Sequence, residues 1–356
     1  MTTTATSDEI LTDEFSAGID AGCRWLVHRL GDDGHPGCGH VHYYRLPWTL
    51  ALTGYREPAS RVLSWIERNA LTPDGDLREE ARVGFQDNWA SYPLAIIATG
   101  AWHLERYDTA LRITDTLRDF QDPDAGGAYA QHPSTRTSRR QDLFPTAQLG
   151  MTGLTTGRRE LADGAFRWLS SLYAAQPDLP SRLYTATEGD QLLAVDEEDP
   201  ALAWQTITDF TQPRQAFYNP GIAAAFLARY YMVTRDEAAK DLARNYLSLT
   251  EGGTERQFDS SESVQVCKFG WGVAAWLDAS PEPSWHRHAV RMGHWFLEAQ
   301  NEDGSWDNSP FLMEDGARDD IRVEITAEFV QHLVTIVAAL GGRDRGPIAS
   351  AAPPSS

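Results

Sequence analysis

One phrase recurs along this chain, and its repetition restricts the fold more than any other feature. A helix-like stretch carrying an aromatic residue ends in an Asp/Gly turn. Gln300-Asn301-Glu302-Asp303-Gly304-Ser305-Trp306 is the clearest version, following Trp295. Trp25 with Asp33-Gly34, Trp65 with Asp74-Gly75, and Leu117 with Asp124 through Gly127 repeat it. Trp168 with Asp178 and Tyr246 with Gly252-Gly253 are looser copies. A unit this short cannot bury its apolar face alone, so such units must stack or close on one another.

Apolar periodicity predicts about twelve helices of two kinds. One set, near 8–30, 57–70, 106–120, 158–175, 236–249 and 284–299, is amphipathic. The other, near 46–53, 92–104, 145–156, 217–233, 266–278 and 325–340, is apolar all round and must be buried. Alternation of the two predicts an all-α (α/α)6 toroid, with six inner helices enclosed by six outer ones. Thr53-Gly54, Thr99-Gly100 and Thr156-Gly157 read as the closing turns of inner helices. Gly150 through Gly157 reads as a helix end. Pro47 and Pro93 read as helix starts.

Residues 8–342 are expected to form one toroid domain, with tails at 1–7 and 343–356. The stretch 178–214 exceeds an ordinary connector. Its segment 182–195 alternates about Glu188-Gly189-Asp190 and predicts a β-hairpin, within an insertion that is either a lid or an ornament.

Lys and Arg total 31 against 51 Asp and Glu, a net charge of −20. That balance argues against nucleic acid and anionic membranes as partners. The amino terminus lacks the basic and apolar regions of a signal peptide, and no apolar run approaches the ~18 residues of a membrane helix. Cys23, Cys38 and Cys267 are too few and scattered for a disulfide framework. A cytoplasmic setting is expected.

Gln300 through Trp306 resembles the QW motif of squalene-hopene-type cyclases, and Gln121 through Gly127 resembles a degenerate copy. The resemblance is to the α/α-toroid superfamily of terpenoid cyclases and protein prenyltransferases, and to no specific family in it. It implies a structural role for the motif, with an enzyme of natural-product biosynthesis as the functional expectation. The superfamily's Asp-x-Asp-Asp, Asp-Asp-x-x-Asp and zinc signatures do not carry over: Asp196 through Asp199 and Asp319 through Glu324 do not match them.

The starts of the inner helices gather the chemistry at one mouth. Asp87 and Asp142 are candidate acids or N-caps, with His42 and Glu328 as further titratable candidates. Glu328 lies on an apolar helix and calls for a partner, Lys268 or Arg45. Tyr43, Tyr44, Arg45, Trp89, Phe217, Tyr218, Asn219, Lys268 and Trp271 are candidate substrate contacts, the rings offering cation–π surfaces or plain packing. Asp87 is expected within reach of Trp89 and of His40 through Arg45. Cys38, His40 and His42 with Cys267 form a weak zinc pattern, so no metal and no cofactor is expected. The leading expectation is acid-catalysed isomerisation or cyclisation of an apolar isoprenoid or polyketide-like molecule. Alternatives are a carbohydrate hydrolase or lyase using Asp87 and Asp142, and a non-catalytic small-molecule-binding toroid.

Overall fold

The computed structural model describes residues 7–39, 42–84, 88–195, 203, 205–258, 266–307 and 319–341. Six amphipathic helices form the outer layer: α1 (Ser7–His28), α3 (Arg56–Asn69), α5 (Tyr107–Thr116), α7 (Arg159–Ala174), α9 (Glu237–Glu251) and α11 (Pro283–Glu298). Alternating with them are six inner helices. These are α2 (Leu46–Leu52), α4 (Ser91–His103), α6 (Leu143–Thr156), α8 (Tyr218–Thr234), α10 (Cys267–Ala279) and α12 (Asp319–Gly341). Each inner helix packs on the next and α12 packs on α2, which closes the inner ring; across the same seam α1 packs on α11 and α12. The expected (α/α)6 toroid is what the chain forms.

The repeat phrase explains the closure. Gly304 has φ +90°, and a Cβ there would sit 2.6 Å from the Ala21 carbonyl oxygen on α1. Gly126 has φ +92°, and a Cβ there would sit 2.2 Å from the Gly164 carbonyl oxygen on α7. Only glycine satisfies both the left-handed backbone and so close an approach. The glutamines work in parallel: Gln300 Nε2 donates to the Gly304 and Gly18 carbonyls, each at 2.9 Å. Gln121 Nε2 donates to the Gly126 and Leu161 carbonyls at 2.8 and 2.9 Å. The turns at Gly34, Gly75 and Gly126 thus dock onto the following outer helix, at Arg61, Ile113 and Gly164, and the last copy docks onto the first helix.

Several local expectations change. Gly100 does not end its helix: α4 runs on to His103, and the missing Cβ lets Pro47 and Trp48 approach. Gly150 and Gly153 likewise lie inside α6, where Phe226 and Leu161 press against them; only Gly157, at φ 75°, ends it. The hairpin about Glu188-Gly189-Asp190 forms between β4 (Ala186–Glu188) and β5 (Gln191–Leu192). It belongs to a four-stranded antiparallel sheet with β1 (Ala128–Tyr129) and β2 (Arg140–Asp142) that alternation did not reveal. The preceding β3 (Arg182–Tyr184) leaves this sheet to pair with β6 (Ile207–Asp209). β2 runs directly into α6, which fixes the backbone of the Gln141–Asp142 mouth segment. By length and composition α12 could cross a membrane, contrary to the expectation of no such run, but 67% of that window is buried inside the ring.

Candidate functional site

The inner helices bring four ionisable side chains, Arg45, Lys268, Glu328 and His332, to one place. Glu328, on the third turn of α12, is only 5% exposed. Its Oε1 accepts a hydrogen bond from Lys268 Nζ on α10 and lies 3.3 Å from Arg45 Nη2 at the start of α2. Both partners proposed from sequence are therefore present. Arg45 also donates to the Tyr92 hydroxyl of α4 at 2.6 Å, and its guanidinium lies over the rings of Tyr44 and Tyr92. Lys268 sits over the Tyr218 ring at 5.1 Å. One turn after Glu328, His332 places Nε2 3.9 Å from the same oxygen and stacks on Trp271. Neither nitrogen of His332 has a hydrogen-bond partner among the described residues.

A second carboxylate lies one turn nearer the mouth. Glu324 accepts from the Tyr44 hydroxyl and lies 2.9 Å from His42 Nδ1. His42 thus belongs to the site through Glu324. Around both groups runs an aromatic wall in which Tyr92, Phe144 and Tyr218 meet edge to face, joined by Trp89.

Burial works against the charged form of Glu328, but Arg45 and Lys268 outweigh it and hold the carboxyl down to about 2. Burial also lowers the His332 imidazole, to about 3; the pull of Glu328 opposes this, and Lys268 and Arg45 add to the depression. Glu328 is consequently ionised and His332 neutral near pH 7. The Cys267 thiol is pushed up to about 12, chiefly by burial.

These shifts predict a pH dependence of stability. The ordinary values are 6.5 for His332 and 4.5 for Glu328. Both are depressed on folding, so the unfolded chain binds protons that the native protein refuses, and stability falls with pH. The His332 contribution is lost from pH 6.5 down to about 3, and that of Glu328 from 4.5 down to about 2. Calorimetric melting temperatures should fall between about pH 7 and pH 4, and His332→Gln should flatten the upper part of that decline.

Asp142 lies apart from this cluster. Expected as an acid or an N-cap, it makes no cap hydrogen bond at the start of α6. Arg140, two residues earlier on β2, donates to both of its oxygens at 2.8 and 3.1 Å. Burial raises its pKa although the Arg140 charge opposes the shift. Asn219 donates to the Ala216 carbonyl, and its Oδ1 has no partner among the described residues. Tyr43 and Phe217 were expected at the substrate. Instead, Tyr43 meets Trp65 of outer helix α3 edge-on, and Phe217 tilts against Phe210, just after β6. Asp87 and His40 lie outside the described residues.

Cys267 Sγ, Glu328 and His332 place ligand-type atoms within 4.8 Å of one another. The donor set alone could suit zinc. A metal there would face Lys268 and Arg45 on the same carboxylate, and two adjacent fixed cations make the position hostile to a third.

No family model and no curated protein matches the chain. Solved structures do. A D-mannose isomerase superimposes with a TM-score of 0.67 at 10% identity, covering 96% of this chain and all of that one. The α-1,6-mannanase of Salegentibacter sp. HEL1_6 gives 0.61 at 11%, covering 92% and 99%. A type II terpene cyclase from Scytonema, bound to geranylgeranyl dihydroxybenzoate, gives 0.55 at 13%, covering 92% and 99%. The class of protein is thereby defined: the (α/α)6 toroid, a fold shared by enzymes of quite different chemistry. At these identities the likeness establishes the architecture, and the particular activity must be argued from the side chains.

Proposed function

We propose that this protein is an isomerase of small hydroxy-carbonyl compounds of the carbohydrate class. The single observation that carries this reading is the buried group in which two cations, Arg45 and Lys268, flank one ionised carboxylate beside a neutral imidazole. Moving a proton from the carbon next to a carbonyl generates an enediolate, whose negative charge needs fixed positive partners. His332 would take the proton from carbon while the electron pair moves to the carbonyl oxygen, between Arg45 and Lys268. The proton of the adjacent hydroxyl moves to the former carbonyl oxygen, and His332, after exchange with solvent, delivers a proton to the former carbonyl carbon as the new carbonyl forms, which completes the isomerisation. An enediolate beside His332 also favours its protonation, opposing the depression imposed chiefly by burial. Trp48 and Trp271 meet edge to face at 6.1 Å, and Trp271 backs the His332 ring that would act on the substrate. The mannose isomerase superposition is consistent with this chemistry.

The cyclase reading has its own support in the aromatic wall and in Asp142, whose burial raises its pKa. Two fixed cations count against a carbocation in the same chamber. A pair of like charges 4 Å apart costs about 4 kcal/mol at the effective dielectric of a protein surface. Hydrolysis of a glycoside needs a protonated acid and a partner carboxylate. Glu328 is held ionised, which leaves Asp142 as the described candidate for the acid.

The test is to incubate the protein with D-mannose, D-glucose and D-fructose and follow interconversion by NMR. Turnover is expected, falling about 100-fold in His332→Gln and surviving in Asp142→Asn. Consumption of a polyprenyl substrate that Asp142→Asn abolishes would install the cyclase reading instead. Saturable binding of a sugar without turnover would install the non-catalytic one.

A further inference from the structure

Away from the ring centre, a second constellation joins two repeats. Asp76 follows the Gly75 turn, and His132 and Ser134 lie in the loop between β1 and β2. His132 Nε2 is 2.8 Å from Asp76 Oδ2, and His132 Nδ1 is 2.7 Å from Ser134 Oγ. The tautomer follows from the surroundings. The Ser134 amide also reaches Nδ1, at 3.1 Å, and an amide can only donate. Nδ1 is therefore the bare nitrogen, and Nε2 carries the proton that it donates to Asp76. Asp76 is itself fixed, because its Oδ1 accepts from the Leu77 amide at 2.7 Å. The imidazole is buried, edge-on to Phe120, whereas Ser134 is exposed. Arg82 Nη1 comes within 3.4 Å of Ser134 Oγ.

We propose that Ser134 is a nucleophile activated by His132 and Asp76, giving the protein a second, ester-cleaving activity independent of the ring centre. A hydroxyl, a bare imidazole nitrogen and an orienting carboxylate at these distances have the relationship that acyl transfer requires. Ser134 Oγ attacks the carbonyl carbon of a small ester, and its proton passes to His132 Nδ1. The carbon–oxygen bond to the alcohol breaks, and the alcohol leaves with that proton. Water then attacks the acyl-serine, giving its proton to His132, and the acid departs as Ser134 Oγ regains the proton. Asp76 stabilises the transient imidazolium, and Arg82 lies where the negative oxygen of the tetrahedral intermediate would form. The exposed serine suits short, unhindered acyl groups.

The full-length protein should be treated with a fluorophosphonate and digested for mass spectrometry, and assayed in parallel with p-nitrophenyl acetate. The expected result is an adduct on Ser134, with hydrolysis falling about 100-fold in S134A and in H132Q. D76N should weaken both labelling and hydrolysis. S134A removes only an exposed hydroxyl, and its circular dichroism and melting temperature should match the parent. An unmodified Ser134, or p-nitrophenyl acetate hydrolysis unchanged in folded S134A, would overturn the proposal. In that case the hydrogen bonds of His132 serve to tie the 131–139 loop to Asp76.

Discussion

Glu328→Gln is expected to lower the unfolding free energy by about 3–5 kcal/mol, the range for breaking a buried ion pair on one side. The change is nearly isosteric, so packing is retained and only charge is removed. Lys268 and Arg45 would then remain buried, 7% and 2% exposed, with no carboxylate between them. The loss arises mainly from those orphaned cations and only partly from the missing attraction. Lys268→Met in the same background should therefore restore part of the stability, because it removes one of them. Urea denaturation of the two single variants and the double variant gives the coupling energy. Equal and additive losses would show that Glu328 and Lys268 do not compensate one another.

Trp306→Ala is expected to cost about 3–5 kcal/mol, as for other large-to-small changes at buried aromatic positions. Trp306 is fully buried, its Nε1 donates to the Phe296 carbonyl at 2.7 Å, and its ring lies near Phe329 of α12. It also lies against Gly22 of α1, where the last repeat meets the first helix. Removing the ring opens a cavity at the seam that closes the toroid. Trp295→Ala should act in the same direction, since Trp295 donates to the Phe258 carbonyl and meets Phe296 and Phe329. Thermal melts should show the loss, while turnover per folded molecule stays at the parent level. A variant that keeps its melting temperature but loses turnover would move Trp306 from scaffold to site.

The fold was legible because burial and turn chemistry leave strong marks. An inner helix is apolar on all sides, and Gln300 through Trp306 carries the glutamine, glycine and tryptophan that its docking contacts use. Gly100, Gly150 and Gly153 misled because a glycine that admits a neighbouring backbone looks, in sequence, like one that ends a helix. The short strands β1 and β2 were invisible because two or three residues cannot display a period. At the site, Arg45, Lys268 and Glu328 stood out as charges on apolar helices. His332 shares that signature one turn beyond Glu328, and Glu324 stood in the same string, yet neither was selected. Tyr43 and Phe217 adjoin the candidate residues in sequence but pack on Trp65 and Phe210, in segments that precede their helices and carry no periodicity to read. Asp142 was read as an acid or an N-cap because its strand, and with it the hold of Arg140, could not be read in advance.

If the Arg45–Lys268–Glu328–His332 group moves a proton on carbon through an anionic intermediate, as proposed, solvent hydrogen must enter the substrate. The most direct measurement is exchange in D₂O, monitoring by ¹H NMR the hydrogen at carbon 2 of D-mannose and D-glucose and at carbon 1 of D-fructose. The account predicts deuterium entering at those positions alone, in the parent protein and in Asp142→Asn, with the rate lowered about 100-fold in His332→Gln. Isomerisation with no solvent deuterium in product or recovered substrate, or exchange unaffected by His332→Gln in the folded protein, would contradict it.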